Sequence, residues 1–138
     1  MRIAIDVSQR IYETGVSLYT RKLLDNLLSI DTKNEYVLFG SSLRRLSELK
    51  LKTQGLNAAK RFFPVPPTLS DFIWNRLHLF PIENMLGKLD VFHSSDWTQP
   101  PSKAFKVTTI HDLSPILFPK LTDPKIASVH KRRLERVE

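Results

Sequence analysis

Two histidines stand beside carboxylates in places where proton chemistry is possible. His111 is followed directly by Asp112, and His93 is followed by Ser95 and Asp96. A histidine titrates near neutral pH, and a neighbouring carboxylate can orient its ring or hold its charge. We interpret these five residues as candidate site residues. The alternative interpretation is structural, with Asp112 capping a turn and the histidines filling the edge of a sheet.

Asp6 and Gly15 flank the loop that follows the first apolar segment. A glycine there lets the backbone approach a ligand closely, and the start of the following helix offers free amides to a phosphate. The signal is a single glycine, and the alternative is that only glycine fits the turn. For Asp6, hydrogen bonding to nearby backbone amides is favoured over a catalytic role.

The sequence contains no motif for thiol, metal-binding, nucleotide-loop or serine-hydrolase chemistry. There is no cysteine, so thiolate zinc sites and thiol nucleophiles are excluded. The sequence contains no HExxH, GxGxxG, GxxxxGK[ST] or GxSxG motif. We therefore expect neither a bound metal nor a cofactor.

The elements that must position the candidate residues alternate along the chain. Apolar, β-rich runs predict strands at 3–7, 35–40, 59–64, 89–93 and 105–110. Amphipathic spacing and capping residues predict helices from Val16 to about Ser29, from Ser41 or Ser42 to about Lys50, from Ser70 or Asp71 to Phe80, and from Pro124 toward Glu138.

This alternation predicts an α/β fold, a doubly wound and mostly parallel sheet with helices on both faces, as one domain over 1–138. Ligands of such sheets bind outside the carboxyl ends of the strands. The candidate residues all follow strands and should therefore share one rim.

The chain is basic, with 21 Lys and Arg against 14 Asp and Glu and a formal net charge of +7. Its basic runs are not interleaved with aromatic residues, so nucleic acid is an unlikely partner. These basic runs are explained as solvated faces of helices. The more specific alternative is that they bind an anionic membrane surface. Without cysteine or an apolar run of roughly 18–20 residues, we expect a cytoplasmic protein, at most peripheral on the inner face of the membrane.

Several segments in fixed order resemble the amino-terminal domain of the family-four (group 1) glycosyltransferases, retaining enzymes of the GT-B fold. The segments are Thr14-Gly15-Val16-Ser17-Leu18-Tyr19, then Asp90-Val91-Phe92-His93-Ser94, then Thr108-Thr109-Ile110-His111-Asp112-Leu113-Ser114-Pro115, then Phe118-Pro119. The resemblance covers essentially the whole chain and implies a Rossmann-like, acceptor-binding half of a two-domain enzyme.

The resemblance also implies roles for individual residues. Gly15 would approach the phosphates of a nucleotide-sugar donor, and His111 would contact the transferred sugar with Asp112 beside it. His93, together with Ser95 and Asp96, would line the acceptor side of the cleft. The partners implied are a carboxy-terminal donor-binding domain and a sugar or lipid-linked acceptor.

The chain departs from the family in two ways. It has Thr-Gly where paired glycines are common, and it lacks the E-x7-E motif of the donor-binding domain. We therefore expect the isolated chain to be inactive as a transferase. The alternative function is a noncatalytic binding module for nucleic acid or an anionic lipid surface. A phosphoacceptor receiver is a weaker possibility, because no acidic pair follows the first strand.

Overall fold

The computed structural model describes residues 1–137 and contains a five-stranded sheet. The strands are β1 (Arg2–Asp6), β2 (Glu35–Ser41), β3 (Ala59–Phe63), β4 (Val91–Ser94) and β5 (Phe105–Thr108). They lie in the order β3-β2-β1-β4-β5, and every pairing is parallel. The predicted doubly wound, Rossmann-like α/β fold is therefore confirmed.

Helices cover both faces of this sheet. The α-helices are α1 (Gly15–Ile30), α2 (Leu46–Lys52), α3 (Pro67–Ser70), α4 (Glu83–Leu86), α5 (Ser114–Leu117) and α6 (Pro124–Leu134). Short 3-10 turns occupy Ser8–Ile11 and Pro119–Leu121, and a π-helical segment, Asp71–Arg76, continues α3. None of the helices within residues 1–137 is long and apolar enough to cross a bilayer.

The central strands are buried on both sides, which explains their continuous apolar runs. Successive side chains of a strand point to opposite faces, so β1 and β2 contribute to two separate cores. One core contains Ala4, Val37, Phe39, Trp74, Ile82, Leu86, Leu89 and Phe92. The other contains Ile5, Val7, Ile11, Leu24, Tyr36, Leu38 and Leu49. The first core packs under the π-helical segment and α4, and the second under α1 and α2.

The predicted helix from Ser70 or Asp71 to Phe80 is wrong at its end. Helical structure stops at Arg76, and His78 and Phe80 adopt positive φ angles of 51° and 64°. The indole of Trp74 donates to the carbonyl of Phe80 at 3.1 Å, which folds the chain back before Pro81. His78, which the pattern placed in a helix, therefore lies in this turn.

Other boundaries differ by smaller amounts. The Ser42 hydroxyl accepts from the Arg45 amide at 3.1 Å, so it closes a turn before α2 rather than capping that helix. The predicted start of α6 at Pro124 is confirmed, and Asp123 caps the helix by accepting from the amides of Lys125 and Ile126. That helix ends at Leu134, and the part of the prediction that falls on Glu138 lies outside the described residues.

Candidate functional site

The strand order locates the switch point of the sheet between β1 and β4. The chain moves outward from β1 through β2 to β3, then returns to the other side of β1 for β4 and β5. The crossovers on the two sides leave in opposite directions, which opens a crevice at the carboxyl ends of β1 and β4. A cleft of about 270 Å³ lies there.

This switch-point cleft is lined mainly by hydroxyl groups and aromatic rings. The hydroxyl side chains are Ser8, Thr14, Ser41, Ser70, Ser95 and Thr98. Tyr12 and Trp97 provide the rings, and Asp6 provides a carboxyl group. Hydroxyl groups both donate and accept hydrogen bonds, and rings offer apolar faces. The lining therefore combines hydroxyl groups with a larger apolar surface, and the hydroxyl groups of Ser8, Thr14, Ser70 and Ser95 also make hydrogen bonds within the chain.

Asp6 is the buried carboxyl group of the cleft, 6% exposed. Its Oδ1 accepts from the Ser8 amide at 2.9 Å, as the sequence analysis favoured, and the Ser8 hydroxyl accepts from the Ser41 amide at 2.9 Å. Burial raises the pKa of Asp6 above its ordinary value, although the hydrogen bonds from Ser8 oppose this effect. These contacts tie the ends of β1 and β2 together beneath the cleft.

The loop after β4 forms the opposite wall and is held by a buried asparagine. Asn75 is 1% exposed, donates to the Trp97 carbonyl at 3.0 Å and accepts from the Gln99 amide at 2.9 Å. The hydroxyl of Ser95 accepts from the amides of Trp97 and Thr98, both at 3.3 Å. Ser95 therefore shapes the turn that presents Trp97 and Thr98 to the cleft.

A second, much narrower cavity contains most of the residues singled out from the sequence. This histidine crevice is lined by His93, Ser95, Asp96 and His111, and its volume is about 20 Å³. That is room for one water molecule. The four predicted residues therefore lie together at one rim, around a cavity too small for anything larger than a water molecule.

Packing fills the histidine crevice. His93 Nε2 lies 3.1 Å from the Thr109 hydroxyl, which in turn lies 3.2 Å from the Tyr19 hydroxyl. The Tyr19 ring meets the His111 ring edge-on, with centroids 4.8 Å apart. Burial lowers the pKa of His93, and the nearby His111 and Arg133 lower it further. His93 is thus kept neutral, whereas His111 is exposed.

Asp96 lines this crevice, and Arg133 lies close to it. Asp96 Oδ1 is buried and has no hydrogen-bond partner within residues 1–137. Arg133 is 1% exposed and donates to the carbonyls of Ser95 and Thr109 at 3.1 and 3.2 Å, and to the Thr108 hydroxyl. The guanidinium group therefore joins the rim loop after β4 to the end of β5.

The structure places Asp112 and Gly15 outside both cavities. Asp112 accepts from the amide and the hydroxyl of Ser114, at 2.7 and 2.6 Å, and these bonds lower its pKa. Its contacts are those of the turn before α5. Gly15 is the first residue of α1, behind its capping residue Thr14.

Gly15 is not required by the shape of its turn. A Cβ atom there would meet nothing within 4 Å, and its φ angle is not positive. The open space in front of α1 is what a ligand approaching the helix would need. This observation argues against the turn interpretation of Gly15, and its ligand interpretation stays a prediction.

Sequence reasoning missed most of the cleft itself. Tyr12, Ser70 and Trp97 come from three separate loops or helix ends, which only tertiary packing brings together. Trp97 directly follows Asp96 in the rim loop. Its position beside a candidate carboxylate is the one feature of the sequence that could have indicated it. Within residues 1–137, no group of His, Asp and Glu side chains is arranged to hold a metal ion.

The fold and the cleft define a doubly wound α/β domain with a cleft at its switch point. No protein-family model matches the chain, and no match to it was found among the curated proteins or the solved structures. The resemblance to the glycosyltransferases stays a prediction.

Proposed function

We propose that this chain is the acceptor-binding half of a retaining glycosyltransferase that uses a nucleotide sugar. The observation that carries the proposal is the switch-point cleft of about 270 Å³, with its six hydroxyl side chains and two aromatic residues. Polyhydroxylated acceptors offer hydrogen bonds and apolar ring faces, and this lining matches both.

The reacting groups would meet above the rim, on the open side of His111. The bond between the anomeric carbon and the donor phosphate breaks, and a bond to an acceptor hydroxyl forms on the same face of the sugar. The hydroxyl proton leaves with the departing phosphate. The protein positions the reactants and stabilises the developing charge electrostatically.

In this proposal Gly15 admits the donor phosphates to the start of α1, because a side chain is absent there. His111 is exposed beside the packed Tyr19 ring and contacts the transferred sugar. His93, Ser95 and Asp96 support the rim from behind. The donor-binding half and its cationic groups come from a partner domain.

The test is calorimetric titration of the chain with a panel of neutral oligosaccharides, comparing Tyr12→Ala with Tyr19→Ala. Both tyrosines are partly exposed, at 37% and 40%, but only Tyr12 lines the cleft. We expect Tyr12→Ala to weaken binding about tenfold and Tyr19→Ala to leave it unchanged, because an aromatic contact contributes roughly 0.5–1.5 kcal/mol. The chain alone should not turn over sugar nucleotides.

Two results would contradict this proposal. One is the absence of saturable binding to every oligosaccharide in the panel. The other is transfer or hydrolysis of a sugar nucleotide by the purified chain. Steeply salt-dependent binding to nucleic acid in place of sugar would favour the noncatalytic alternative.

A further inference from the structure

A second groove lies on the other side of Trp97 from the switch-point cleft. It has a volume of about 240 Å³ and runs between the π-helical segment and α6. Its charged lining residues are Arg76, Lys125, Arg132 and Asp71. We call it the cationic groove. Nothing in the proposed transfer reaction uses these residues.

The cationic groove carries more positive than negative charge. Asp71 Oδ2 lies 2.8 Å from Arg132 Nη2 and 3.8 Å from Arg76 Nε, so two arginines share one carboxylate. The other oxygen of Asp71 accepts from Asn75 at 2.8 Å. Lys125 is exposed and forms no ion pair within residues 1–137. An anion would therefore relieve the repulsion between these cations.

Two buried donors of the same groove lack acceptors. Arg132 Nε and Trp97 Nε1 are both closed off from solvent and have no hydrogen-bond partner in the described part of the chain. Both side chains line the groove. Buried polar groups are normally hydrogen-bonded, and an exception points to a missing ion, water or ligand. A shift of the Arg132 or Trp97 side chain would be needed to bring either donor to an oxygen bound in the groove.

We propose that the cationic groove binds a phosphate-class oxyanion, either inorganic phosphate or a phosphate monoester. The three cationic side chains Arg76, Lys125 and Arg132 offer more donors than the two oxygens of a carboxylate can satisfy, whereas a phosphate offers at least three terminal oxygens. A soluble ester and a lipid headgroup present the same chemistry. The site goes beyond the proposed transferase function and stands whether or not the switch-point cleft binds sugar.

The experiment titrates the intact chain with inorganic phosphate and with glycerol phosphate at constant ionic strength. Tryptophan fluorescence is the readout, because Trp97 lines the groove and Trp74 is buried in the core. Lys125→Gln is the test variant. Lys131→Gln is its matched control, since Lys131 is equally exposed on the same helix but does not line the groove.

We expect saturable binding that Lys125→Gln weakens about tenfold, because a hydrogen bond to a charged group contributes roughly 1.5–3 kcal/mol. Lys131→Gln should change it by less than about twofold, as a screened distant charge does. Arg76→Gln, which loses only the 3.8 Å contact to Asp71, should weaken binding as Lys125→Gln does. Circular dichroism verifies that each variant folds.

Vesicles distinguish the two sources of phosphate. Cosedimentation with phosphatidic acid vesicles, but not with phosphatidylcholine vesicles, assigns a lipid headgroup if Lys125→Gln abolishes it and Lys131→Gln does not. Binding of the soluble phosphates alone assigns a soluble ester. No saturable binding of either kind of probe, or equal weakening by Lys125→Gln and Lys131→Gln, would overturn the proposal.

Discussion

The switch-point cleft and the histidine crevice share Asp6, Gln9 and Ser95 but are built in opposite ways. The cleft has about 270 Å³ of space and one carboxyl group among hydroxyls and rings. The crevice contains two histidines and Asp96, and it has about 20 Å³. Residues that attract attention by their chemistry thus lie where packing leaves no room. The residues that make room are serine, threonine and aromatic side chains from several loops.

Burial favours the neutral form of both Asp6 and His93. It raises the pKa of Asp6 and lowers the pKa of His93, so each group is biased toward its neutral form. The two cavities therefore differ in their volume and in the contacts of their lining residues. The following predictions test that difference, beginning with the largest expected effect.

Removing Arg133 should destabilise the fold most, because this residue supports the wall that the two cavities share. Arg133→Met removes this donor from the buried carbonyl of Ser95 and the partly buried carbonyl of Thr109. We expect a loss of roughly 3 kcal/mol in the free energy of unfolding, measured with urea. Lys131→Met, an exposed change on the same helix, should cost less than about 0.5 kcal/mol. A cost for Arg133→Met as small as that of the control would contradict this role.

Asp6 should make stability fall as the pH rises. Its pKa in the folded protein is raised above the ordinary 3.8, so between these two values the folded state holds more protons than the unfolded state. The stabilisation is therefore present below the ordinary pKa and is lost as the pH rises through the folded one. Asp6→Asn removes this dependence. Urea unfolding at several acidic pH values should show the difference, and parallel curves for the two proteins would refute it.

His93 should make stability fall as the pH decreases, in a higher pH range than the effect of Asp6. Its pKa in the folded protein lies below the ordinary 6.5, so the unfolded state takes up the proton first as the pH falls. Its stabilisation is present above pH 6.5 and is lost as the pH falls toward the folded pKa. His93→Gln should lack this loss. Unfolding measured between about pH 5 and 8 tests it, and an unchanged slope in the variant argues against a buried neutral His93.

Gly15→Ala should have the smallest effect on stability, because the new methyl group meets no atom within 4 Å. We expect a gain of at most about 1 kcal/mol in the free energy of unfolding, because alanine restricts the conformations of the unfolded chain. Gly40→Ala is the contrasting change, because its Cβ would lie 2.5 Å from Leu49 Cδ2 in the core. Thermal unfolding compares the two, and a marked loss for Gly15→Ala would restore the turn interpretation.

The sequence predicted most of the fold because its strands are short apolar runs, α1 has amphipathic spacing and α6 begins behind the capping residue Asp123. Asp123 before Pro124 marked the start of α6, and the runs at 35–40 and 59–64 became β2 and β3. The π-helical segment and the turn after it escaped prediction. They depend on the hydrogen bond from Trp74 to Phe80, which local periodicity does not encode.

The candidate site was predictable only in part, for a related reason. His93 and His111 could be placed on one rim because parallel strands end at the same edge. The volume between them depends on Tyr19, which reaches the rim from α1. The larger cleft depends on the loop that Asn75 holds from below. Such contacts join residues far apart in the sequence.

The central claim is that ligand binding belongs to the switch-point cleft and not to the histidine crevice. Titration of the isotope-labelled chain with the tightest neutral oligosaccharide, followed by amide chemical shifts, tests it most directly. Our account expects the largest shifts at Ser8, Ser70 and Thr98, which line the cleft. Largest shifts at His93 and Thr109, with the cleft residues unmoved, would contradict it.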